Sequence, residues 1–315
     1  MTLHAGLTST PAPAPLRLGL IGVDSPHAPS FTRLFGDGVT GAVPGATVTA
    51  AWKGVAAADF PLGRDRVDAL ADEVRDLGVP LCSSPEEVAG RCDALLIVAA
   101  DARTHHEYFT RLAPFGKPVY VDTRFALALR DARAMLATAR HHACLPLAGS
   151  PKRFTPEFRQ ALGSADVDRI DLTGPLPTQP GHPFLAWYGV HLVDLAVAAL
   201  GPGCVAVDAT DARRTKLTWA DGRIATLGGE AEWSPLTTGR LNGPGGGRTF
   251  AIEAGPAMLT GLLTSIVASC RTGVPNVPEA EVLDIVAVVE AAHRSRLTGA
   301  PVRLPTDPGK RARDE

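Results

Sequence analysis

The segment Leu16–His27, with the sequence LRLGLIGVDSPH, decides the class of fold. Its first part, Leu16–Val23, is a mainly apolar run bounded by Pro and Asp, which is typical of a strand buried within a sheet. Polar residues and a proline follow, and then a helical pattern continues to about Phe35. A buried strand that turns directly into a helix predicts a parallel α/β unit.

The same alternation of apolar strand and single helix continues to about Gly149. Further strands are predicted at Ala46–Trp52, Ala94–Ala99, Pro118–Val121 and Leu145–Ala148, and helices at Arg64–Leu77, Thr104–Leu112 and Asp131–His141. Strands joined by single helices pair in parallel through right-handed crossovers. Residues 16–150 are therefore predicted to form a doubly wound nucleotide-binding domain, with any ligand beyond the carboxyl ends of its strands.

The second half of the chain has a different pattern. A helix is predicted at Ala186–Leu200, and two more at about Met258–Arg271 and Glu279–Leu297; the segments near Val205–Ala209, Thr215–Trp219 and Ile224–Leu227 resemble strands of hairpins. The run Gly243–Gly247 (GPGGG) lacks the Lys-Ser/Thr of a P-loop and is interpreted as a mobile loop. Residues 151–305 are predicted to form an α+β domain with an open, largely antiparallel sheet for substrate binding and oligomerisation.

Composition limits the class of protein. The 315 residues carry a net charge of −2, which argues against a general nucleic-acid binder. No apolar run is long enough to span a bilayer. The five cysteines form no CxxC pair, which indicates neither a zinc site nor a disulfide framework and fits a reducing cytoplasm. Residues 1–15 are predicted to be a disordered lead-in and residues 306–315 a frayed tail.

Several segments, in order, resemble the Gfo/Idh/MocA oxidoreductase family. They are GKPVYVDTRFA (Gly116–Ala126), SPKRF (Ser150–Phe154), WYGVHLVDLAVAALGPG (Trp187–Gly203) and the closing segment Pro278–Pro301. The first turn, Gly22–His27, resembles a branch of the family that has D-T-S-H in place of the usual glycines. The resemblance implies a Rossmann-type first domain, an NAD or NADP cofactor and a sugar-, polyol- or cyclitol-like substrate.

The first turn departs from the glycine fingerprint that lets a pyrophosphate approach a helix N-terminus. Gly22 matches the first glycine, whereas Asp24 and His27 stand at the second and third. The Asp24 carboxylate would repel a pyrophosphate, although Ser25 could donate hydrogen bonds and His27 could be cationic. We expect weak dinucleotide binding that tightens on Asp24→Gly; the alternative is a turn kept only for folding.

Other candidate cofactor residues follow the later strands. Lys53 stands where an NAD site favours an acid, which indicates NADP, another pose, or an isolated surface lysine. By resemblance, Ala100, Asp101 and His105 lie near the nicotinamide, together with Asp122, the acid of the family motif. The alternative for His105 is a solvated residue in the first turn of a helix that Thr104 caps.

The candidate catalytic set is incomplete. Thr123 occupies the position of the family lysine and cannot supply its positive charge. Lys152 could approach the same cleft from the domain junction. His191 is a candidate acid/base, with Asp194 on the same helix face; the alternative is a buried His191–Asp194 pair.

Two functions remain open. The first is an NAD(P)-dependent oxidoreductase on a small hydroxylated substrate. The second is a catalytically silent relative that binds a nucleotide or a sugar-like ligand as a sensor or partner protein. No metal site, nucleic-acid partner or membrane association is predicted, and a homodimer or homotetramer is expected.

Overall fold

The computed structural model describes residues 13–305, apart from residues 165 and 212. The predicted tail lies outside the described residues, as does the predicted lead-in except for residues 13–15. None of the described helices combines the length and apolarity needed to cross a bilayer.

The first sheet has six strands, all parallel, in the order β3-β2-β1-β4-β5-β6. They are β1 (Leu16–Ile21), β2 (Ala46–Trp52), β3 (Leu81–Cys82), β4 (Ala94–Ile97), β5 (Val119–Val121) and β6 (Pro146–Leu147). Strand β1 lies at the centre, and its Leu18, Leu20 and Ile21 side chains have no exposed surface. This arrangement confirms the doubly wound Rossmann-type sheet predicted from the apolar strands.

Six helices accompany this sheet: α1 (His27–Phe35), α2 (Pro61–Arg64), α3 (Val67–Asp76), α4 (Pro85–Arg91), α5 (His105–Leu112) and α6 (Leu129–His141). Helices α4, α5 and α6 contact one another in series, while α1 contacts α3. Two rows of helices therefore pack against the sheet. Sequence reasoning missed β3, α2 and α4. The predicted helix Arg64–Leu77 corresponds to α3, which begins at Val67.

The second sheet has seven strands in the order β12-β11-β7-β10-β9-β8-β13, and its only parallel pair is β7 with β10 among the described residues. They are β7 (Arg169–Thr173), β8 (Cys204–Asp211), β9 (Arg214–Trp219), β10 (Ile224–Gly228), β11 (Leu236–Gly243), β12 (Gly246–Glu253) and β13 (Val302–Arg303). The helices of this half are α7 (Pro156–Leu162), α8 (Val190–Leu200), α9 (Pro256–Thr272) and α10 (Glu279–Thr298). The predicted open and largely antiparallel sheet is confirmed.

Two predictions for this half are wrong in detail. Gly243–Gly247 is not a mobile loop but the tight turn of the β11–β12 hairpin, in which Gly243 pairs with Gly246. Glycine suits this turn because Gly246 has a φ of 92°. Helix α8 begins at Val190 and not at Ala186, since Leu185 has a φ of 66° and the following residues form turns.

Helix α9 links the two halves of the molecule. It follows β12 of the second sheet in the sequence, yet its Leu259, Leu262 and Ile266 side chains are buried in the core of the first sheet. Helix α10 packs against α6 of the first half and against β8 and α8 of the second. These helices fix the cleft between the two sheets.

Candidate functional site

A cleft of about 590 Å³ lies where the carboxyl ends of β1 and β5 face the starts of α8 and α9. Seven of the predicted site residues line it, namely Ser25, His27, Ala100, Asp122, Thr123, Lys152 and His191. Four others, Gly22, Asp24, Lys53 and Asp101, line a separate crevice of about 10 Å³. His105 and Asp194 are buried and belong to neither lining.

His27 and Asp122 form an ion pair across the ends of β1 and β5. His27 Nδ1 lies 2.5 Å from Asp122 Oδ2, and the Tyr120 hydroxyl donates to Asp122 Oδ1 at 2.8 Å. Burial alone would raise the pKa of Asp122, but the His27 charge and the hydrogen bonds outweigh it and lower the pKa to about 2. Burial likewise opposes a charge on His27, yet Asp122 raises the pKa of that imidazole above its usual value.

Thr123 and Arg124 follow directly after β5. The Thr123 hydroxyl donates to the carbonyl of Gly149 at 3.1 Å and offers no charge. The buried Arg124 guanidinium donates to the carbonyls of Trp187 (2.8 Å) and Ala100 (3.0 Å) and lies 4.2 Å from the centre of the Trp187 ring. Burial lowers its pKa to about 10, so Arg124 remains cationic at neutral pH.

Lys152 reaches the cleft from the 3₁₀ turn Pro151–Phe154. Its side chain is buried, and Nζ donates to Thr237 Oγ1 on β11 at 2.8 Å. Burial lowers the pKa of Lys152 to about 8. The ammonium is therefore mostly charged at neutral pH, but it can lose its proton more readily than an exposed lysine.

His191 enters the cleft from α8. Its Nδ1 lies 2.8 Å from Ser150 Oγ. Burial lowers the pKa of His191 well below its ordinary value, and the charges of Lys152 and Arg124 act in the same direction. The imidazole is neutral and half-buried, and it forms a T-shaped contact with the Tyr188 ring at 5.7 Å between ring centres.

The predicted alternative of a His191–Asp194 pair is wrong. The Asp194 carboxylate accepts from the backbone N–H of Ser150 at 3.1 Å and lies 3.2 Å from Arg153 Nε. The two helix residues thus contact different atoms of Ser150, and Asp194 positions the residue that His191 contacts. Burial raises the pKa of Asp194 in spite of Arg153.

The turn after β1 does not present the donors that a pyrophosphate needs. Pro26 and Pro29 have no N–H, while the N–H groups of His27 and Ala28 donate to Ser25 Oγ (3.2 Å) and to its carbonyl (3.0 Å). Glycine is required at position 22 because the residues after β1 and β4 pack closely there. A Cβ atom on residue 22 would lie 2.6 Å from the Cβ of Ala99. Two N–H groups at the start of α1 thus already have acceptors in their own chain, while the Ser25 hydroxyl keeps its own O–H donor.

Asp24 is buried, and its side chain lies between the residue stretches that follow β1 and β4. Its Oδ1 accepts from the N–H of Ala100 at 2.9 Å, which ties the residues after β1 and β4 together. Burial raises the pKa of this carboxyl, partly offset by the Ala100 hydrogen bond and the Arg66 charge. Arg66 Nε donates to the Asp24 carbonyl at 2.5 Å.

The segment Gly54–Arg66 covers the same edge, and we call it the covering segment. Phe60 is fully buried against Trp187, with ring centres 5.8 Å apart. Gly63 lies so close to Asp24 that a Cβ would be 2.5 Å from Oδ2. Between this segment and the ends of β1 and β2 only the 10 Å³ crevice remains, whereas ligand pockets typically hold about 300–1,000 Å³. The first turn of α1 itself faces the larger cleft through Ser25 and His27. The residues present do not fit a dinucleotide laid along this edge.

The remaining candidate residues have local partners. Lys53 pairs with Asp68 on α3, and Asp101 binds Arg103, which also binds Asp59. The alternative of a solvated His105 is wrong, because the side chain is buried and its ring nitrogens lie 2.7 Å from the carbonyl of Arg124 and 2.8 Å from that of Ala99. Burial lowers the pKa of His105 despite these contacts.

Three residues that shape the cleft were not among the predicted site residues. Ser150 lies within the quoted SPKRF segment, and Arg124 was noted only for its charge. Thr237 lies on β11, a strand that the sequence pattern did not reveal, so only the fold brings it to Lys152.

No protein-family model matches the chain. The chain is similar to a curated protein, YceM of Salmonella typhimurium (strain LT2), described as a putative oxidoreductase. The two are 30% identical over 141 residues, which is 42% of this chain and 44% of YceM. The match thus spans less than half of that relative.

Solved structures match over nearly the whole chain. GenD2 from gentamicin A biosynthesis, in complex with NAD, has a TM-score of 0.74 at 17% identity, over 95% of this chain and all of GenD2. Myo-inositol 2-dehydrogenase from Lactobacillus plantarum has a TM-score of 0.73 at 15% identity, over 92% of this chain and 100% of the enzyme. A myo-inositol dehydrogenase from Corynebacterium glutamicum ATCC 13032 has a TM-score of 0.73 at 16% identity, over 93% of this chain and 100% of that enzyme. These identities are too low to show more than the fold, and the chain has the fold of these dehydrogenases, in which a parallel sheet is followed by an open, largely antiparallel sheet.

Proposed function

We propose that this chain binds a small hydroxylated molecule of the sugar, polyol or cyclitol class in the cleft between its two sheets, and that it does so without a dinucleotide along the first sheet. One observation carries the proposal. Asp24 and the covering segment fill the edge where a dinucleotide would lie, while the neighbouring cleft keeps about 590 Å³. The protein is then a ligand-binding relative of the dehydrogenases that share its fold.

The chemistry of the cleft supports a hydroxylated ligand. Lys152 Nζ has N–H groups beyond the one that meets Thr237, and a neutral imidazole such as that of His191 can bond a hydroxyl through its second nitrogen. Trp187 and Tyr188 supply an aromatic wall. A few convergent polar groups on an apolar wall are typical of small-molecule sites.

A second candidate function is an NAD(P)-dependent oxidoreductase acting on the same class of molecule. The fold neighbours favour it, since one was solved with NAD and others are named as myo-inositol dehydrogenases. The cleft also holds two groups suited to acid–base work, Lys152 and His191. This candidate requires the covering segment to leave the edge of the first sheet.

Calorimetric titration separates the two candidates. We expect NAD⁺ and NADP⁺ to give no binding signal, and members of a panel of sugars, cyclitols and their acids to bind and to raise the unfolding temperature. Tight dinucleotide binding together with nicotinamide reduction on a polyol would overturn the first proposal in favour of the second.

We also propose a homodimer or homotetramer formed through the second sheet. Strands β9 and β12 alternate buried with exposed side chains, which is the pattern of a sheet with helices on one face. Light scattering coupled to size-exclusion chromatography measures the assembly, and a monomer at all concentrations would refute it.

A further inference from the structure

The charges that line the cleft do not balance. Its lining contains one carboxylate, Asp122, and five basic side chains. His191 is neutral, and the other four are His27, Arg66, Arg124 and Lys152. Asp122 is already the ion-pair partner of His27. Three cations therefore face the cleft without a carboxylate of the lining to neutralise them.

Lys152 is the least compensated of these cations. Its side chain is 4% exposed, and the only partner of Nζ among the described residues is the neutral hydroxyl of Thr237, at 2.8 Å. An ammonium has three N–H donors, so two are left for a ligand. Buried charges in proteins are normally paired, because a lone charge loses its hydration without compensation.

Arg124 adds to the same excess. Its terminal nitrogens meet two carbonyl oxygens, and its Nε has no hydrogen-bond partner in the described part of the chain. The nearby acids are engaged elsewhere: Asp24 accepts from the Ala100 N–H, and Asp101 binds Arg103. The positive potential therefore persists at the wall that Arg124 shares with Trp187.

We infer that the ligand of this cleft is anionic, a polyhydroxylated carboxylate such as a sugar acid, and that Lys152 is the residue that selects it. The inference rests on the proposed function, that the cleft binds a small hydroxylated molecule. The carboxylate would accept from Lys152 Nζ beside Thr237, and the neutral His191 would bond a neighbouring hydroxyl. We assign a carboxylate, and a phosphate is the competing anion in the test.

The test uses matched ligands that differ in charge. Calorimetry compares D-glucose with D-glucuronate and D-glucose 6-phosphate, and D-gluconate and D-galacturonate extend the set of acids. In the wild type we expect the acids to bind at least about tenfold more tightly than glucose, as one charge-assisted hydrogen bond provides. Lys152→Gln should abolish that preference, because it weakens the binding of the acids by about tenfold more than the binding of glucose.

The control is Lys216→Gln, which removes the same charge from an exposed position on β9. It should retain the preference for acids. Lys152→Gln should also stay folded, because its amide can still bond Thr237, and thermal unfolding without ligand checks this.

The possible results distinguish failure of the inferred ligand charge from failure of the proposed function. Equal binding of acid and neutral sugar, or a preference that survives Lys152→Gln, overturns the inference and leaves the proposed function standing. Tighter binding of glucose 6-phosphate than of any carboxylate overturns the assigned ligand class. If neither these compounds nor neutral cyclitols bind, the proposed function fails and the inference with it.

Discussion

The carboxylate of Asp24 accepts a hydrogen bond from the backbone N–H of Ala100 at 2.9 Å, and this contact joins the residues that follow β1 and β4. In a dinucleotide-binding sheet, the pyrophosphate passes at this point beside a helix N-terminus. In this protein the Asp24 side chain occupies that position. The carboxylate therefore acts as a structural tie rather than as a simple source of repulsion.

Asp24→Ala should lower the free energy of unfolding by about 1–3 kcal/mol, because it leaves the buried N–H of Ala100 without an acceptor. Asp24→Asn keeps an acceptor oxygen and should cost less. Asp24→Gly should destabilise the protein and create no dinucleotide site, since two N–H groups at the start of α1 keep their acceptors. Urea unfolding and NAD⁺ titration test this; tighter NAD⁺ binding by a fully stable Asp24→Gly protein would restore the repulsion hypothesis.

Phe60→Ala should cost about 3–5 kcal/mol of stability, the usual range for removing a fully buried phenylalanine. Val55→Ala is the matched control, because Val55 belongs to the same segment and is 73% exposed. The free energy of unfolding of Val55→Ala should differ from that of the wild type by no more than about 0.5 kcal/mol. Similar small losses for both variants would mean that the covering segment is only loosely attached.

The His27–Asp122 pair predicts a pH window of stability. The pKa of His27 is raised in the folded protein. Its contribution to the free energy of unfolding is therefore complete below pH about 6.5, the value for the unfolded chain, and is lost as the pH rises through the higher pKa of the folded state. The pKa of Asp122 is lowered to about 2, so its contribution is present above about 3.9 and is lost as the pH falls towards 2.

His27→Gln should remove the alkaline part of this dependence. Relative to that variant, the wild type should lose roughly 2–4 °C of unfolding temperature between neutral and alkaline pH. The exposed His141→Gln serves as control. Parallel pH profiles for wild type and His27→Gln would show that the pair contributes nothing.

Binding of a sugar acid should weaken above pH 8. Burial lowers the pKa of Lys152 to about 8, so the ammonium that receives the carboxylate loses its proton in that range. Arg124 remains charged there and His191 is already neutral, whereas His27 also loses its charge on the alkaline side, so the titrations are made in the His27→Gln background. Calorimetry between pH 6.5 and 9 should show a loss of affinity that neutral sugars and Lys152→Gln lack; a flat profile would exclude Lys152 as the receiving group.

Thr123→Lys distinguishes the two candidate functions. Thr123 shares the cleft with Arg66, Arg124 and Lys152, so the substitution adds a further cation to a site that already has an excess. We expect no nicotinamide reduction by wild type or variant over a panel of polyols and sugars, measured by absorbance. A gain of turnover in Thr123→Lys that disappears with His191→Ala would instead support the oxidoreductase.

The sequence by itself determined the parallel and antiparallel halves, because the spacing of apolar residues reports locally whether a strand is covered on one face or on both. It also located the turns after β1 and β5 where the cleft lies, since ligand sites in open sheets follow the strand ends. It did not determine what the polar residues there contact. The partners of Asp24, Lys152 and His191 are Ala100, Thr237 and Ser150, which are distant in the chain. Only the tertiary structure decided those pairings, because hydrogen bonds between distant residues depend on packing and leave no periodic signal.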